Sequence, residues 1–186
     1  MRYVVCFLSV WVSSFLLAYD SCECGCGGAC WRGVPYAYPV RPDMKVTVLA
    51  DPYRNVEGGE IRINDFFKSG NRLLVLIFWA PWCPSCQASL PSILQKAEAL
   101  AKLNGMLVGV SVEENEDKVR VSPMIQTMAG RIPCLMDSKG RLQEFFKVGI
   151  IPFAVAINAE GETVGSGRPE EVFESLGVGE DERSVQ

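Results

Sequence analysis

The sequence predicts an α/β domain built on a mixed β-sheet. Two apolar runs, residues 73–79 and 106–112, contain no charged side chain and have the length of central strands covered on both faces. Between them, apolar residues recur at steps of three and four, as on the buried face of an amphipathic helix. Residues 153–157, which are all apolar, and residues 163–164 after a turn add a hairpin. Strand–helix–strand units closed by a hairpin give a three-layer domain.

The elements before the first central strand are predicted to form an added N-terminal β-hairpin. Its strands are residues 46–49 and 60–63, and the piece between them turns at Gly58 and Gly59. Asn64 is then expected to cap a single helical turn.

The elements after the first central strand, residues 73–79, alternate between helices and strands. Pro91 lies inside the central helix and should kink it, because it lacks the N–H that would bond to the carbonyl of Gln87. A later helix should begin with Ser122 as N-cap and Pro123 as its first residue. The other expected elements are a strand at 132–136, a helical turn at 142–146 and a closing helix at 169–176.

The composition excludes several kinds of chemistry. With 18 basic and 22 acidic side chains, the formal net charge is −4, so the chain lacks the excess of cations that nucleic-acid binding requires. It has no histidine, which excludes Ser-His-Asp triads, Cys-His nucleophiles and His-liganded metals. It has eight cysteines. The chemistry must therefore use thiols, carboxylates or the backbone.

Residues 1–21 are predicted to be a signal peptide or a membrane anchor. After Met1 and Arg2, residues 3–19 carry no charge. The length of this run fits both a cleaved signal and a membrane-spanning segment. Both export the protein, so we expect a periplasmic or other extracytoplasmic location, secreted or anchored. Lipidation, a third route, would fall on Cys22.

Four cysteines then follow within nine residues: Cys22, Cys24, Cys26 and Cys30. Clustered thiolates can bind Zn(II) or Cu(I), which gives an alternative function as a metal-binding or metallochaperone module. The spacing differs from the paired C-x2-C ligands of structural zinc sites. Disulfides or an inert tether are the competing interpretations.

The domain boundaries follow from composition. Three prolines within residues 34–42 predict an extended linker. We therefore expect residues 22–44 to form a cysteine-rich leader and linker, and residues 45–176 to form the folded domain. Residues 177–186 are acidic, lack periodicity and are predicted to be a disordered tail.

The chemistry is predicted at Cys83 and Cys86, which follow the first central strand and open the amphipathic helix. Two cysteines three residues apart in a first helical turn can bring their sulfurs within disulfide reach. Unpaired N–H groups and the helix dipole favour a thiolate at Cys83, whereas Cys86 lies inside the turn. Cys83 is the expected nucleophile and Cys86 the resolving thiol. Half of a zinc site and an inert pair are the alternatives, which the strand–helix position disfavours.

At these residues the sequence resembles the thioredoxin superfamily, and within it the exported TlpA/ResA-like thiol:disulfide oxidoreductases. The resemblance covers roughly residues 45–176. It rests on residues 78–86 (FWAPWCPSC), on Pro91 downstream, on Ile151 and Pro152 ahead of a strand, and on residues 158–161 after that strand.

This resemblance implies a thioredoxin fold, with Pro152 in the cis form against the active-site disulfide and the Ile151 backbone pairing with the substrate chain. It assigns Cys83, Cys86 and Pro152 to catalysis, and Trp82 and Ile151 to substrate binding, with no cofactor. The implied partners are cysteine-containing exported proteins and a membrane or thioredoxin-type electron donor.

Two positions depart from the family pattern. Thioredoxins carry a buried acid where this chain has Ile77, and ResA-like proteins often carry a glutamate where it has Ser89. The proton acceptor for Cys86 is therefore unassigned. Because Pro84 and Ser85 bring no charge between the cysteines, we expect a reductase or isomerase rather than a strong oxidant.

The remaining cysteines and two tryptophans are predicted to be structural. Cys134 falls in a short strand and Cys6 in the N-terminal apolar run, so both should behave as small apolar side chains. Trp31 and Trp79 are expected to be packing residues rather than functional ones.

Overall fold

The structure is a computed structural model that describes residues 48–178. Its elements, in chain order, are β1 (Tyr53–Asn55), β2 (Glu60–Ile61), α1 (Ile63–Lys68), β3 (Leu73–Trp79), α2 (Pro84–Lys102), β4 (Gly105–Ser111), α3 (Glu116–Arg120), α4 (Pro123–Met128), β5 (Cys134–Met136), α5 (Arg141–Phe145), β6 (Phe153–Asn158), β7 (Thr163–Gly167) and α6 (Pro169–Ser175).

The seven strands form one mixed sheet, as predicted, in the order β2-β1-β5-β4-β3-β6-β7. β4 lies parallel to β3, and β5 lies parallel to β4. β6 is antiparallel to β3, and β7 is antiparallel to β6. At the other edge, β1 is antiparallel to both β5 and β2.

β3 is buried on both faces of the sheet, which explains its continuous apolar sequence. Leu74, Leu76 and Phe78 pack into one core cluster together with residues of α1 and α5. Val75 and Ile77 belong to a second cluster, which includes residues of α2. Because successive side chains of a strand alternate between faces, a sheet with helices on both sides requires an apolar residue at each position.

The N-terminal side of the domain differs from the prediction. Of residues 46–49, predicted as a strand, Val48 and Leu49 are described, and they lie in a helical turn. Both side chains are buried in the same core cluster as Tyr53, whose hydroxyl donates to the Val48 carbonyl oxygen at 2.9 Å. A strand would send consecutive side chains to opposite faces, so the strand prediction is wrong there. The first strand of the hairpin is instead β1.

α1 also begins earlier than predicted. Asn64, the predicted cap, lies inside the helix, and the N-cap residue Arg62 makes no hydrogen bond through its side chain. Ile63 is completely buried, so core packing rather than capping sets this helix start. The early start limits β2 to two residues.

The later elements follow the predicted order. α2 continues through Pro91. Ser122 caps α4, since its hydroxyl accepts a hydrogen bond from the Met124 N–H at 3.2 Å, and Pro123 is the first helical residue. β6 and β7 form the predicted hairpin.

The packed domain extends past its predicted end at residue 176. Gly177 has a φ of 69°, and its N–H bonds to the Glu174 carbonyl at 3.0 Å, while the Val178 N–H bonds to the Phe173 carbonyl at 2.9 Å. This is a Schellman C-cap, which favours glycine in the left-handed conformation. Val178 is buried in the core, so residues 177 and 178 belong to the domain rather than to the tail.

Several predictions concern residues that the structure does not describe. The signal or anchor at 1–21, the leader and linker at 22–44 and residues 179–186 of the tail lie outside the described residues. Within residues 48–178, none of the helices is both long and apolar enough to cross a membrane.

The parallel strands bring three loops to one edge of the sheet. β3, β4 and β5 end at the same side, and they are followed by Cys83, Glu113 and Asp137, respectively. The loops are joined directly: the Val112 N–H donates to the Trp79 carbonyl at 2.9 Å, and the Asp137 N–H donates to the Ser111 carbonyl at 2.9 Å. This is the edge at which open α/β sheets place their functional groups.

Asp137 makes folding stability depend on pH. Its carboxylate is buried, with Oδ2 accepting the Gln143 N–H at 2.9 Å and Oδ1 without a hydrogen-bond partner among the described residues. Burial raises the pKa of Asp137 above its ordinary value of 3.8, despite the opposing effect of backbone N–H donors. The folded protein therefore holds this proton more tightly than the unfolded chain does.

The raised pKa of Asp137 in the folded state determines how stability changes with pH. The stability contributed by Asp137 is full below pH 3.8 and is lost as the pH rises through the higher pKa of the folded state. Asp137→Asn retains an amide oxygen for the Gln143 N–H but cannot ionise. In urea unfolding, wild type should therefore lose stability relative to Asp137→Asn as the pH is raised from about 3.5 to about 7. An equal difference between the two proteins at both pH values would contradict this.

Candidate active site

Cys83 and Cys86 are joined by a disulfide at the start of α2. Cys83 is the N-cap residue, Pro84 is the first helical residue, and the two Cα atoms lie 5.3 Å apart. The Cys86 N–H donates to Cys83 Sγ at 3.1 Å. The first turn of the helix thus directs one of its unpaired N–H groups at the sulfur of the first cysteine, as the sequence predicted.

Ser85 supplies a second hydrogen bond to the same sulfur. Its Oγ lies 3.3 Å from Cys83 Sγ, and the hydroxyl must be the donor because a disulfide sulfur carries no proton. Sequence reasoning had noted only that Ser85 is uncharged. A hydroxyl two residues after an N-cap cysteine was the signal that could have found this contact.

Ile151 and Pro152 lie beside the disulfide. The peptide bond between them is cis, as the resemblance implied. The Ile151 carbonyl oxygen is 3.8 Å from Cys83 Sγ, and Pro152 lines a small cavity together with Cys86. The fold therefore brings residues from the start of α2 and from the loop before β6 to the same point, although they are 68 positions apart in sequence.

Trp82 is exposed beside the disulfide. Its side chain is 63% exposed, and its Nε1–H donates to Glu113 Oε2 at 2.8 Å. Ile150, in the loop before Pro152, is 66% exposed. The loop before α2 and the loop before β6 thus each present a large exposed apolar side chain next to a residue of the site.

Glu113 was missed by the sequence analysis. Only 9% of this residue is exposed, and its carboxylate accepts hydrogen bonds from Trp82 Nε1 and, through Oε1, from the Asn115 N–H at 3.0 Å. The available signal was its position: it follows the second central strand, at the same sheet edge as the cysteines.

The surroundings of Cys86 are apolar. A cavity of about 10 Å³ beside it is lined by side chains that cannot accept a proton at neutral pH: Ile77, Trp79, Leu90, Ile93, Met124, Met128, Ile132 and Pro152. Ser89 points elsewhere, since its hydroxyl donates to the carbonyl oxygens of Ser85 and Cys86 at 2.9 and 3.3 Å. Among the residues that line this cavity, none is a base for Cys86.

Cys134 lies apart from the Cys83–Cys86 disulfide as a buried free thiol. Burial raises its pKa from 9.0 to about 12, and its Sγ lies 3.8 Å from Met128 Sδ. A thiol with so high a pKa is not a nucleophile at neutral pH, which agrees with the structural role predicted for it. Trp79 is buried in the core, also as predicted. Cys6 and Trp31 lie outside the described residues.

The metal-binding alternative concerns residues that the structure does not describe. Cys22, Cys24, Cys26 and Cys30 lie outside residues 48–178. Within that part of the chain, no group of three or more cysteine or acidic side chains is arranged to hold a metal ion. A metal site in the leader stays a prediction.

A disulfide-bonded cysteine pair opens a helix at the edge of a mixed sheet, with a cis-proline beside it, and this arrangement defines the class of thioredoxin-like domains. The chain belongs to the AhpC/TSA family, whose model matches residues 40–164.

The curated relatives that the chain matches include two proteins named as thiol-disulfide oxidoreductases. The chain is 28% identical over 110 residues to the sporulation thiol-disulfide oxidoreductase A of Bacillus subtilis (strain 168), covering 59% of this chain and 64% of the relative. It is 27% identical over 122 residues to the thiol-disulfide oxidoreductase ResA of Oceanobacillus iheyensis, covering 65% of this chain and 59% of the relative. The chain thus matches less than two thirds of the length of these relatives.

The solved structures show that the fold is thioredoxin-like. StoA from Bacillus subtilis superposes with a TM-score of 0.52 and 24% identity, over 70% of this chain and 99% of that structure. MTB dsbF superposes with a TM-score of 0.57 and 20% identity, over 70% of this chain and 96% of that structure.

Proposed function

We propose that the protein exchanges disulfides with exported proteins through Cys83 and Cys86, acting as a reductase or isomerase. The observation that carries the proposal is the environment of Cys83 Sγ, which receives hydrogen bonds from the Cys86 N–H at 3.1 Å and from the Ser85 hydroxyl at 3.3 Å. The same two donors would stabilise negative charge on this sulfur in the reduced protein.

The exchange proceeds in two displacements. In the reduced protein, the Cys83 thiolate attacks one sulfur of the substrate disulfide; the substrate S–S bond breaks, and its other sulfur leaves as a thiolate. Cys86 then loses its proton and attacks Cys83 Sγ, which breaks the mixed disulfide and releases the second substrate sulfur. Two electrons pass from the cysteine pair to the substrate, and the Cys83–Cys86 disulfide is formed. A dithiol donor, of a membrane or thioredoxin type, reduces the pair again.

The neighbouring residues have proposed roles in binding the substrate. The Ile151 backbone, whose carbonyl oxygen lies 3.8 Å from Cys83 Sγ, is proposed to pair with an extended substrate segment, and Pro152 lies beside the cysteine pair. The exposed Trp82 ring is proposed to offer the substrate an apolar surface next to Cys83.

The proposed direction rests on charge. A thiolate stabilised by a nearby cation would favour the reduced form and make the pair an oxidant. Here the two residues between the cysteines, Pro84 and Ser85, are neutral, and the cavity beside Cys86 is apolar. Two neutral donors at Cys83 Sγ stabilise a thiolate less than a cation would, so the reduced form is not strongly favoured, and this supports a reductase or isomerase rather than a strong oxidant.

The proposed location rests on the N-terminal segment. Residues 3–19 contain no charged side chain, and they would export the domain through the membrane or anchor it there. The substrates would then be cysteine-containing proteins outside the cytoplasm, where disulfides form and persist.

The proposal is tested with the full chain, a dithiol donor and insulin as the substrate. We expect insulin disulfides to be reduced at least about tenfold faster than by the dithiol alone, because two hydrogen-bond donors lie at Cys83 Sγ, the sulfur that we propose as the nucleophile. The double variant Cys83→Ser/Cys86→Ser is the control, because any insulin reduction that it retains comes from the other cysteines. Ready oxidation of a reduced protein without any reduction of insulin would contradict the proposed direction.

A further inference from the structure

The exposed Trp82 ring is fixed mainly by one hydrogen bond. With 63% of its surface in solvent, the side chain has little packing to hold it in one orientation. Its Nε1–H donates to Glu113 Oε2 at 2.8 Å, across 31 positions of sequence. An exposed side chain without such a bond would occupy several rotamers.

Glu113 is itself fixed from the interior. Its second oxygen, Oε1, accepts the Asn115 N–H at 3.0 Å, and its backbone N–H donates to Ser111 Oγ at 3.3 Å. Ser111 is completely buried, and the Asn115 side chain caps α3. Burying an acidic side chain costs free energy unless its oxygens are paired, and one of the two is committed to the indole.

We propose that Glu113 is a positioning residue for substrate binding: it holds the Trp82 indole beside Cys83, in the orientation that receives an apolar side chain next to the substrate cysteine. This inference rests on the proposed function and adds Glu113 as the residue that orders the substrate-binding surface at Trp82. A ring that is already ordered spares the substrate the entropic cost of ordering it. Glu113 should therefore affect the KM for polypeptide disulfides and have little effect on the chemical step.

Three variants separate this role from a general structural one. Glu113→Gln has one acceptor and one donor, so it cannot accept from both the indole and the Asn115 N–H. Trp82→Phe keeps an aromatic ring but removes the N–H, and it leaves the loop contacts of Glu113 in place. Glu114→Gln is the matched control, because it removes the same charge from an exposed neighbouring side chain.

The experiment measures kcat and KM of the full-length variants with a fluorogenic peptide disulfide and a dithiol donor. We expect Glu113→Gln to raise KM about tenfold and to change kcat less than about twofold, with Glu114→Gln close to wild type. Trp82→Phe should raise KM by a similar factor. Adding Glu113→Gln to Trp82→Phe should raise KM less than about twofold further, because the partner of the bond is already gone.

A spectroscopic readout accompanies the kinetics. In ¹⁵N-labelled protein, the indole N–H signal that disappears in Trp82→Phe should shift in Glu113→Gln and stay in place in Glu114→Gln. An unchanged KM in Glu113→Gln, or an equal increase in the Trp82→Phe background, would overturn the inference. Failure of the proposed function would look different, since wild type itself would then show no turnover.

Discussion

We expect the Cys83→Ser substitution to lower the rate of insulin reduction about 10³-fold or more. A serine hydroxyl is not ionised at neutral pH and cannot form the mixed disulfide. Cys134 cannot replace it, because burial raises its pKa to about 12. Reduced Cys86→Ser, assayed without a dithiol donor, should instead release about one equivalent of substrate thiol and then stop, since the first displacement is intact and no second thiol resolves the mixed disulfide.

The control for this prediction is Cys134→Ala, which removes a buried thiol outside the redox pair. It should reduce insulin within about twofold of the wild-type rate. If Cys83→Ser kept a tenth of the activity and Cys86→Ser lost all of it, the assignment of nucleophile and resolving thiol would be reversed.

The second large effect is expected from Ile77→Asp, which places an acid beside Cys86. Ile77 is buried and lines the same cavity as the resolving thiol, with no cation among the other residues that line it. An unpaired carboxyl group there should lower the free energy of unfolding by about 3 kcal/mol in urea unfolding. Burial should also raise the pKa of the new carboxyl group towards neutrality.

The same substitution should accelerate the second displacement. With an apolar cavity, the Cys86 proton must pass to the departing substrate thiolate or to solvent. A carboxylate beside the thiol can act as a general base, and single-turnover decay of the mixed disulfide should become about tenfold faster above the pKa of the new group. Ile77→Asn is the matched control, because it buries a similar polar group that cannot take up the proton. Equal decay rates in the two variants would show that loss of this proton does not limit the step.

Sequence predicts well those parts of the fold in which the residue pattern of one segment sets its secondary structure and burial. The apolar run of β3 requires burial on both faces, and the spacing of apolar residues in α2 defines one buried face. The Cys83/Cys86 pair was found because the two cysteines and the helix start that contains them are contiguous in sequence. The cis bond before Pro152 came from family resemblance, since an ordinary X-Pro bond is cis in only about 5% of cases.

The parts that sequence did not predict depend on contacts between distant segments. Glu113 meets Trp82 across 31 residues, and nothing in the local sequence of Glu113 distinguishes it from its exposed neighbour Glu114. Val48 and Leu49 have the composition of a strand, yet packing with Tyr53 places them in a helical turn. In both cases tertiary packing, rather than local propensity, decides the outcome.

The central claim is that Cys83 is the residue that bonds to the substrate. The most direct test mixes reduced full-length Cys86→Ser protein with less than one equivalent of a peptide disulfide, blocks the remaining thiols by alkylation, and locates the bound peptide by mass spectrometry. We predict that the peptide is attached at residue 83, and that this adduct is absent from Cys83→Ser/Cys86→Ser. Attachment mainly at the other cysteines, or no attachment at all, would contradict the account.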